Sequence, residues 1–190
     1  KLIKELGLTL RYCLETHIHA DHITGTGELR KRVNCQGIVP EKAQADCADR
    51  YIKDGEELQL GSMEIKAIST PGHTDCDMSY LVNGTHLFTG DALFIRGCGR
   101  TDFQSGDAAT LYHSIHNKLF SLPNETLVYP GHDYEQRCVS SIAQEKARNP
   151  RLGQGRSKED FVALMDGLGL PYPRKIDFAV PGNEDCGACP

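Results

Sequence analysis

Apolar residues recur along this chain at two spacings, and each change of spacing marks a new element. Leu2, Ile3 and Leu6 fall on one side of a short helical pattern that Gly7 stops. Leu8, Leu10, Tyr12 and Leu14 then alternate with Thr9, Arg11, Cys13 and Glu15, the period of a half-buried strand. Residues 25–33 are expected to be helical despite two glycines, and residues 37–39 to form a short strand. Between Glu57 and Phe88 the pattern is β, with runs at Leu58 and Leu60, Met63 to Ile68, Met78 to Val82, and Thr85 to Phe88. The last two runs flank Asn83-Gly84, a pair that tolerates the positive φ angles of a type I′ turn, so they predict a tight hairpin.

Leu111, Ile115 and Leu119 return to helical spacing within residues 107–122, and Pro123 ends that segment. Leu127 to Tyr129 predicts a brief strand, followed by a helix from about Glu135 to Asn149 that Pro150 terminates. Ser157 with Asp160 three positions on resembles a capping box for a last helix through Leu168. Strands and helices are interspersed without a repeat or a low-complexity linker, so residues 1–190 are expected to form one domain.

Composition adds little to this picture. Hydrophobic residues at 39% and charged residues at 25% place the chain among ordinary folded proteins, away from disordered or fibrous classes. The net charge of -5 offers no clustered cation excess for phosphate backbones or anionic lipid, so neither nucleic acid nor membrane is an expected partner. No apolar run has membrane-spanning length and Lys1 to Leu10 lack a signal-like apolar core, which together give the expectation of a soluble intracellular protein. Eight cysteines are scattered through a chain long enough to bury a core, and most are expected to be reduced. Cys186 and Cys189 have the spacing of a redox or zinc pair but stand without a second pair, and are expected to be incidental.

The chemistry concentrates between His17 and His22, where three histidines and Asp21 follow the end of a predicted strand. A set of imidazoles and carboxylate this dense points to a metal, because such groups repel or go unsatisfied when buried together. Three later turns, Pro71-Gly72-His73, Thr89-Gly90-Asp91 and Pro130-Gly131-His132, each place a ligand-type side chain after a glycine that lets the backbone turn sharply.

This ordered set resembles the metallo-β-lactamase superfamily, which implies an α+β four-layer αββα sandwich with the metal site along one edge. The superfamily can build two metal positions, which would carry over here as His17, His19 and His73 for one and Asp21, His22 and His132 for the other, with Asp91 able to bridge. More narrowly, the segments Thr16–Gly27 (THIHADHITGTG), Phe88–Gln104 (FTGDALFIRGCGRTDFQ) and Tyr129–Tyr134 (YPGHDY) are similar to the persulfide dioxygenases of the ethylmalonic-encephalopathy type. So are Asn149–Leu152 (NPRL) and Ile176–Pro181 (IDFAVP).

That resemblance implies one Fe(II) per chain held by His17, His73 and Asp91, a facial set of two imidazoles and a carboxylate. His19, Asp21, His22 and His132 would then orient the ligands instead of holding a second ion. Arg100 and Tyr134 match family positions next to substrate and iron, where a guanidinium can hold anionic glutathione, or pair with Asp102, and a phenol can donate a hydrogen bond; Cys98 is expected to pack. The implied reaction converts glutathione persulfide, O2 and water to sulfite and glutathione. The alternative is a glyoxalase II-like hydroxyacylglutathione thioester hydrolase with two zinc ions, and a third is a non-catalytic metal-binding or flavoprotein-partner module. The resemblance also implies a homodimer, a rhodanese as functional partner, and a bacterial cytoplasm or mitochondrial matrix as compartment. The family's N-terminal β-hairpin and Asp-bearing strand are not found before the opening helix, and no rhodanese domain follows; the expectation is an N-terminally incomplete domain.

Overall fold

The structure is a computed structural model that describes residues 1–187. In chain order its helices are α1 (Leu2–Glu5), α2 (Thr26–Val33), α3 (Ala108–Ser114), α4 (Ile142–Arg148), α5 (Lys158–Asp166) and α6 (Ile176–Glu184). The strands are β1 (Tyr12–Leu14), β2 (Gln36–Pro40), β3 (Arg50–Ile52), β4 (Glu57–Leu60), β5 (Met63–Ser69), β6 (Met78–Val82), β7 (His86–Gly90), β8 (Leu127–Pro130) and β9 (Ser140–Ser141). They fall into two compact units: residues 1–52 with the segment from Pro171 onward, and residues 53–170.

The first unit holds a three-stranded parallel sheet in the order β1-β2-β3. Parallel neighbours need a crossover, and α2 supplies it between β1 and β2. Ile38 in the central strand and Ile52 in β3 are buried on one face of the sheet, and Val39 is buried on the other. The predicted strand over Leu8 to Leu14 is shorter than its alternation suggested. Ladder pairing begins only at Tyr12 opposite Gln36, and Leu8, without a ladder partner, is 62% exposed. β3 and α6 were not anticipated; α6 even contains Pro181.

The second unit is built on a six-stranded sheet, β4-β5-β6-β7-β8-β9, antiparallel everywhere except between β7 and β8. The hairpin at Asn83-Gly84 is present as expected, with φ of 50° and 68° at the two residues. Between β7 and β8 the crossover carries α3, which Asp107 caps by accepting from the Thr110 amide. That helix continues into one π-helical stretch, Ile115–Leu119, closed by the Phe120 amide on the Ile115 carbonyl. Leu111, Ile115 and Leu119 are fully buried with Leu87, Val128, Ile142, Leu152 and Phe161, so the helical spacing marked the core correctly.

The helix expected from Glu135 starts only at Ile142. Gln136 and Cys138 have φ of 58° and 62°, and the Asp133 carboxylate takes up the amides of Glu135 and Arg137, which fixes a turn where helix was predicted. Ser157 caps α5 through the Asp160 amide, as the capping pattern predicted, and Ser141 caps α4 through the Gln144 amide, which was not predicted. Cys13, Cys35, Cys76, Cys98 and Cys138 are not disulfide-bonded, in line with the expectation that most are reduced. Cys186 is not incidental: it is disulfide-bonded to Cys47, with Cα atoms 5.9 Å apart. The other half of the C-terminal pair, Cys189, lies outside the described residues. Among the described residues no helix is long and apolar enough to cross a membrane.

Candidate metal centre

In the first unit, β1 ends at Leu14 and Glu15 extends its ladder by donating from its amide to the Ile38 carbonyl at 3.0 Å. The next turn carries the histidines. His17 is 2% exposed, and its Nδ1 shares a hydrogen bond of 3.0 Å with the Thr16 hydroxyl. The His19 ring lies 4.2 Å from those of both His17 and His22. His19, Asp21 and His22 each offer one donor atom, all within 4.8 Å of one another.

Glu15, which the sequence reading passed over, organises this loop. Its carboxylate accepts from the hydroxyls of Thr24 and Thr26 and lies 3.6 Å from His19 Nε2. Burial pushes the Glu15 carboxyl up, but hydrogen bonds from His19, Thr24 and Thr26 outweigh it and hold the group below the usual carboxylate range. A carboxylate behind a histidine is a common device for fixing ring orientation near a metal. Asn183 of α6 closes the loop from the other side, donating from Nδ2 to the carbonyls of His19 and His22.

In the second unit three strand ends deliver three further ligand-type side chains. β5 is antiparallel to β6 and β6 to β7, so β5 runs with β7, and β8 is parallel to β7. Their C-terminal ends therefore lie on one edge of the sheet, and His73, Asp91 and His132 stand in the turns just beyond them. Asp91 Oδ2 is 3.6 Å from His73 Nε2 and 3.6 Å from His132 Nε2. A Cβ on Gly131 would sit 2.6 Å from Asp91 Oδ1, so only glycine permits this approach of the β8 turn.

The tautomer of His73 follows from its other nitrogen. Nδ1 is 2.7 Å from the Arg100 carbonyl, which can only accept, so Nδ1 carries the hydrogen. With Nδ1 engaged by that carbonyl, Nε2 is the nitrogen left to face Asp91 Oδ2 at 3.6 Å, and an imidazole nitrogen and a carboxylate oxygen at that spacing could share a cation. The donor set fits a metal on this ground.

Asp77, also unforeseen, is 2% exposed and accepts from the Thr74 amide at 2.7 Å. Burial pushes its carboxyl up to about 6 against the lowering effect of His73.

The Arg100 guanidinium forms two hydrogen bonds to the Asp102 carboxylate, at 2.6 and 2.7 Å, and lies 4.6 Å over the Phe103 ring. The pairing with Asp102 is thus the arrangement found. It raises the Arg100 pKa and lowers that of Asp102. Tyr134 is 81% exposed, with its ring parallel to that of His132 at 5.8 Å. Cys98 is buried, with Sγ 3.8 Å from Met165 Sδ, and burial pushes its thiol up to about 11, which suits packing and not nucleophilic work.

A family model described as "Metallo-beta-lactamase superfamily" matches residues 1–132. The chain belongs to the metallo-β-lactamase superfamily. Within the superfamily it is 50% identical over 189 residues to the mitochondrial persulfide dioxygenase ETHE1 of Homo sapiens, covering 98% of this chain and 73% of that protein. The crystal structure of ETHE1 from Myxococcus xanthus superimposes with a TM-score of 0.95 at 50% identity, covering 98% of this chain and 82% of that one. A hydroxyacylglutathione hydrolase of Brucella ovis is 42% identical over 180 residues, covering 93% and 69%. The expected fold class, a metallo-β-lactamase fold of mixed α and β content, is the one found.

Proposed function

We propose that this protein is a persulfide dioxygenase that works with a single Fe(II) held by His17, His73 and Asp91. The observation that carries this reading is identity at half of all positions, along 98% of the chain, with an enzyme named persulfide dioxygenase. The donor chemistry supports it: Asp91 faces an imidazole whose ring is oriented by a backbone carbonyl.

When bound, iron supplies a redox change and open coordination positions for oxygen chemistry, which zinc does not. The chain's own residues do the rest. The Arg100 carbonyl fixes the His73 ring, while Glu15 fixes His19. His19, Asp21, His22 and His132 shape the surroundings of the ion. The Arg100 guanidinium, now paired with Asp102, would hold a carboxylate of glutathione persulfide, and the exposed Tyr134 phenol would donate a hydrogen bond to the reacting group. The reaction consumes glutathione persulfide, O2 and water and yields sulfite and glutathione.

A second reading, a two-zinc hydroxyacylglutathione hydrolase, is favoured by the relative at 42% identity. One experiment separates the two: protein purified anaerobically is assayed for metal, for oxygen uptake with glutathione persulfide, and for thioester cleavage. One iron per chain with oxygen uptake is expected; two zinc ions with thioester cleavage and no oxygen uptake would overturn the proposal. A homodimer, a rhodanese as functional partner, and residence in bacterial cytoplasm or mitochondrial matrix belong to the same proposal.

A further inference from the structure

The carboxamide of Asn183 is directed at the histidine loop. The residue is 3% exposed; Nδ2 donates to the carbonyls of His19 and His22, each at 2.8 Å, and Oδ1 accepts from the Thr24 amide at 2.8 Å. One buried side chain thereby fixes the backbone on both sides of Asp21 and His22.

What holds Asn183 in place is unusual for a helix. α6 contains Pro181, Phe178 is 44% exposed, and only Ala179, Gly182 and Asn183 of its nine residues are buried. Little apolar area seats it, so packing alone restrains it weakly. Covalent and polar stitches replace packing at its C-terminal end. Cys186 is bonded to Cys47, and its carbonyl accepts from the Gly27 amide of α2 at 3.0 Å. Arg30 of α2 donates to the Cys47 carbonyl and to the Asp49 carboxylate, each at 2.6 Å.

Resting on the metal assignment above, we propose that Asn183 is a positioning residue for the metal loop and that the Cys47–Cys186 disulfide keeps it seated, so that low-molecular-weight thiols weaken the loop's hold on its metal. The chemistry is thiol–disulfide exchange. One thiolate attacks a protein sulfur and expels the other, which takes a proton. A second thiolate then attacks the mixed disulfide, leaving two protein thiols and one small-molecule disulfide. Two electrons pass from the small thiols to Cys47 and Cys186. Cys47 is only partly buried and is the sulfur a small thiol would reach.

The test measures iron affinity of the full chain by competition with a chromogenic ferrous chelator. Asn183→Ala, which releases the loop that carries His17 and His19, is expected to weaken binding about 10-fold, the lower end of the cost of losing residues that support a metal's ligands from outside. Wild-type protein reduced with a dithiol, then freed of it anaerobically, should also bind more weakly. Cys47→Ser should match the reduced protein and show no further response to the dithiol. The EPR signal of the ferrous protein with nitric oxide should change shape in Asn183→Ala. It should not change in Glu145→Ala, which destabilises the second unit elsewhere.

Equal affinity in oxidised, reduced and Cys47→Ser protein would overturn the disulfide's role, whether or not Asn183→Ala folds. Unchanged affinity and EPR signal in a folded Asn183→Ala would overturn the role of Asn183. His17→Ala serves as the reference: iron retained there at wild-type affinity means the metal assignment itself is wrong.

Discussion

Asp91 Oδ2 lies 3.6 Å from His73 Nε2, and because His73 Nδ1 is engaged by the Arg100 carbonyl, Nε2 is the nitrogen left to meet the carboxylate. The same oxygen is 3.6 Å from His132 Nε2. A single-iron centre and a two-metal centre make different demands on these two histidines.

With one iron held by His17, His73 and Asp91, His73→Ala and Asp91→Asn are expected to abolish stoichiometric iron, whereas His132→Ala keeps one iron per chain and loses turnover. Elemental analysis of the three variants checks this. Loss of half the metal in His132→Ala, from a wild type carrying two ions, would contradict it.

Arg100 is expected to matter for substrate more than for stability. Its ion pair joins a half-buried guanidinium to the exposed Asp102 carboxylate, and pairs with one partner in solvent contribute about 0–1 kcal/mol. A charge-assisted hydrogen bond to a substrate carboxylate contributes about 1.5–3 kcal/mol, so Arg100→Gln should raise KM for glutathione persulfide roughly tenfold or more. Steady-state kinetics beside a thermal melt would show it. A lower melting midpoint with unchanged KM would leave Arg100 a purely structural residue.

Glu145 is fully buried and holds together the stretch that begins at Arg96. Its carboxylate pairs with the Arg96 guanidinium and accepts from the Arg96 amide at 2.9 Å, the Ser140 hydroxyl at 2.5 Å and Asn149 Nδ2 at 2.9 Å. Arg96 itself has φ of 63°, a conformation that needs such restraint. Removing one partner of a buried ion pair costs about 3–5 kcal/mol, so Glu145→Ala should lose about that much in urea unfolding. A loss below 1 kcal/mol would refute this account.

His116 links the second unit to pH. The ring stacks 4.0 Å from Tyr112 and bonds through Nε2 to the Leu152 carbonyl, and burial lowers its pKa below the ordinary imidazole value of 6.5. A depressed folded pKa means the unfolded chain takes up its proton first. The contribution is therefore complete above pH 6.5 and is lost as pH falls through the lower, folded value. Unfolding measured at pH 7.5 and at pH 5.5 should show His116→Gln costing less at the acid end; an equal cost at both would count against it.

Much of this was legible in the chain because it is set locally. The turn at Asn83-Gly84 needs only two residues that accept positive φ, and the cap at Ser157 needs only a side-chain oxygen beside free amides. The helix start at Ile142 was not legible from periodicity, because the Asp133 carboxylate competes for the Glu135 and Arg137 amides. Glu15 and Asn183 gave no signal either: a carboxylate in a strand pattern and an amide in a tail acquire meaning only from what they touch.

By itself, the sequence determined which donor types this protein owns and that glycine precedes His73, Asp91 and His132, since residue chemistry and backbone freedom are properties of short segments. Only the tertiary structure decided that Asp91 would stand equally near two imidazoles, that Arg100 would aim His73 through its carbonyl, and that Cys186 would find Cys47. Those pairings depend on strand direction and on segments far apart in the chain reaching one place, which no local pattern encodes.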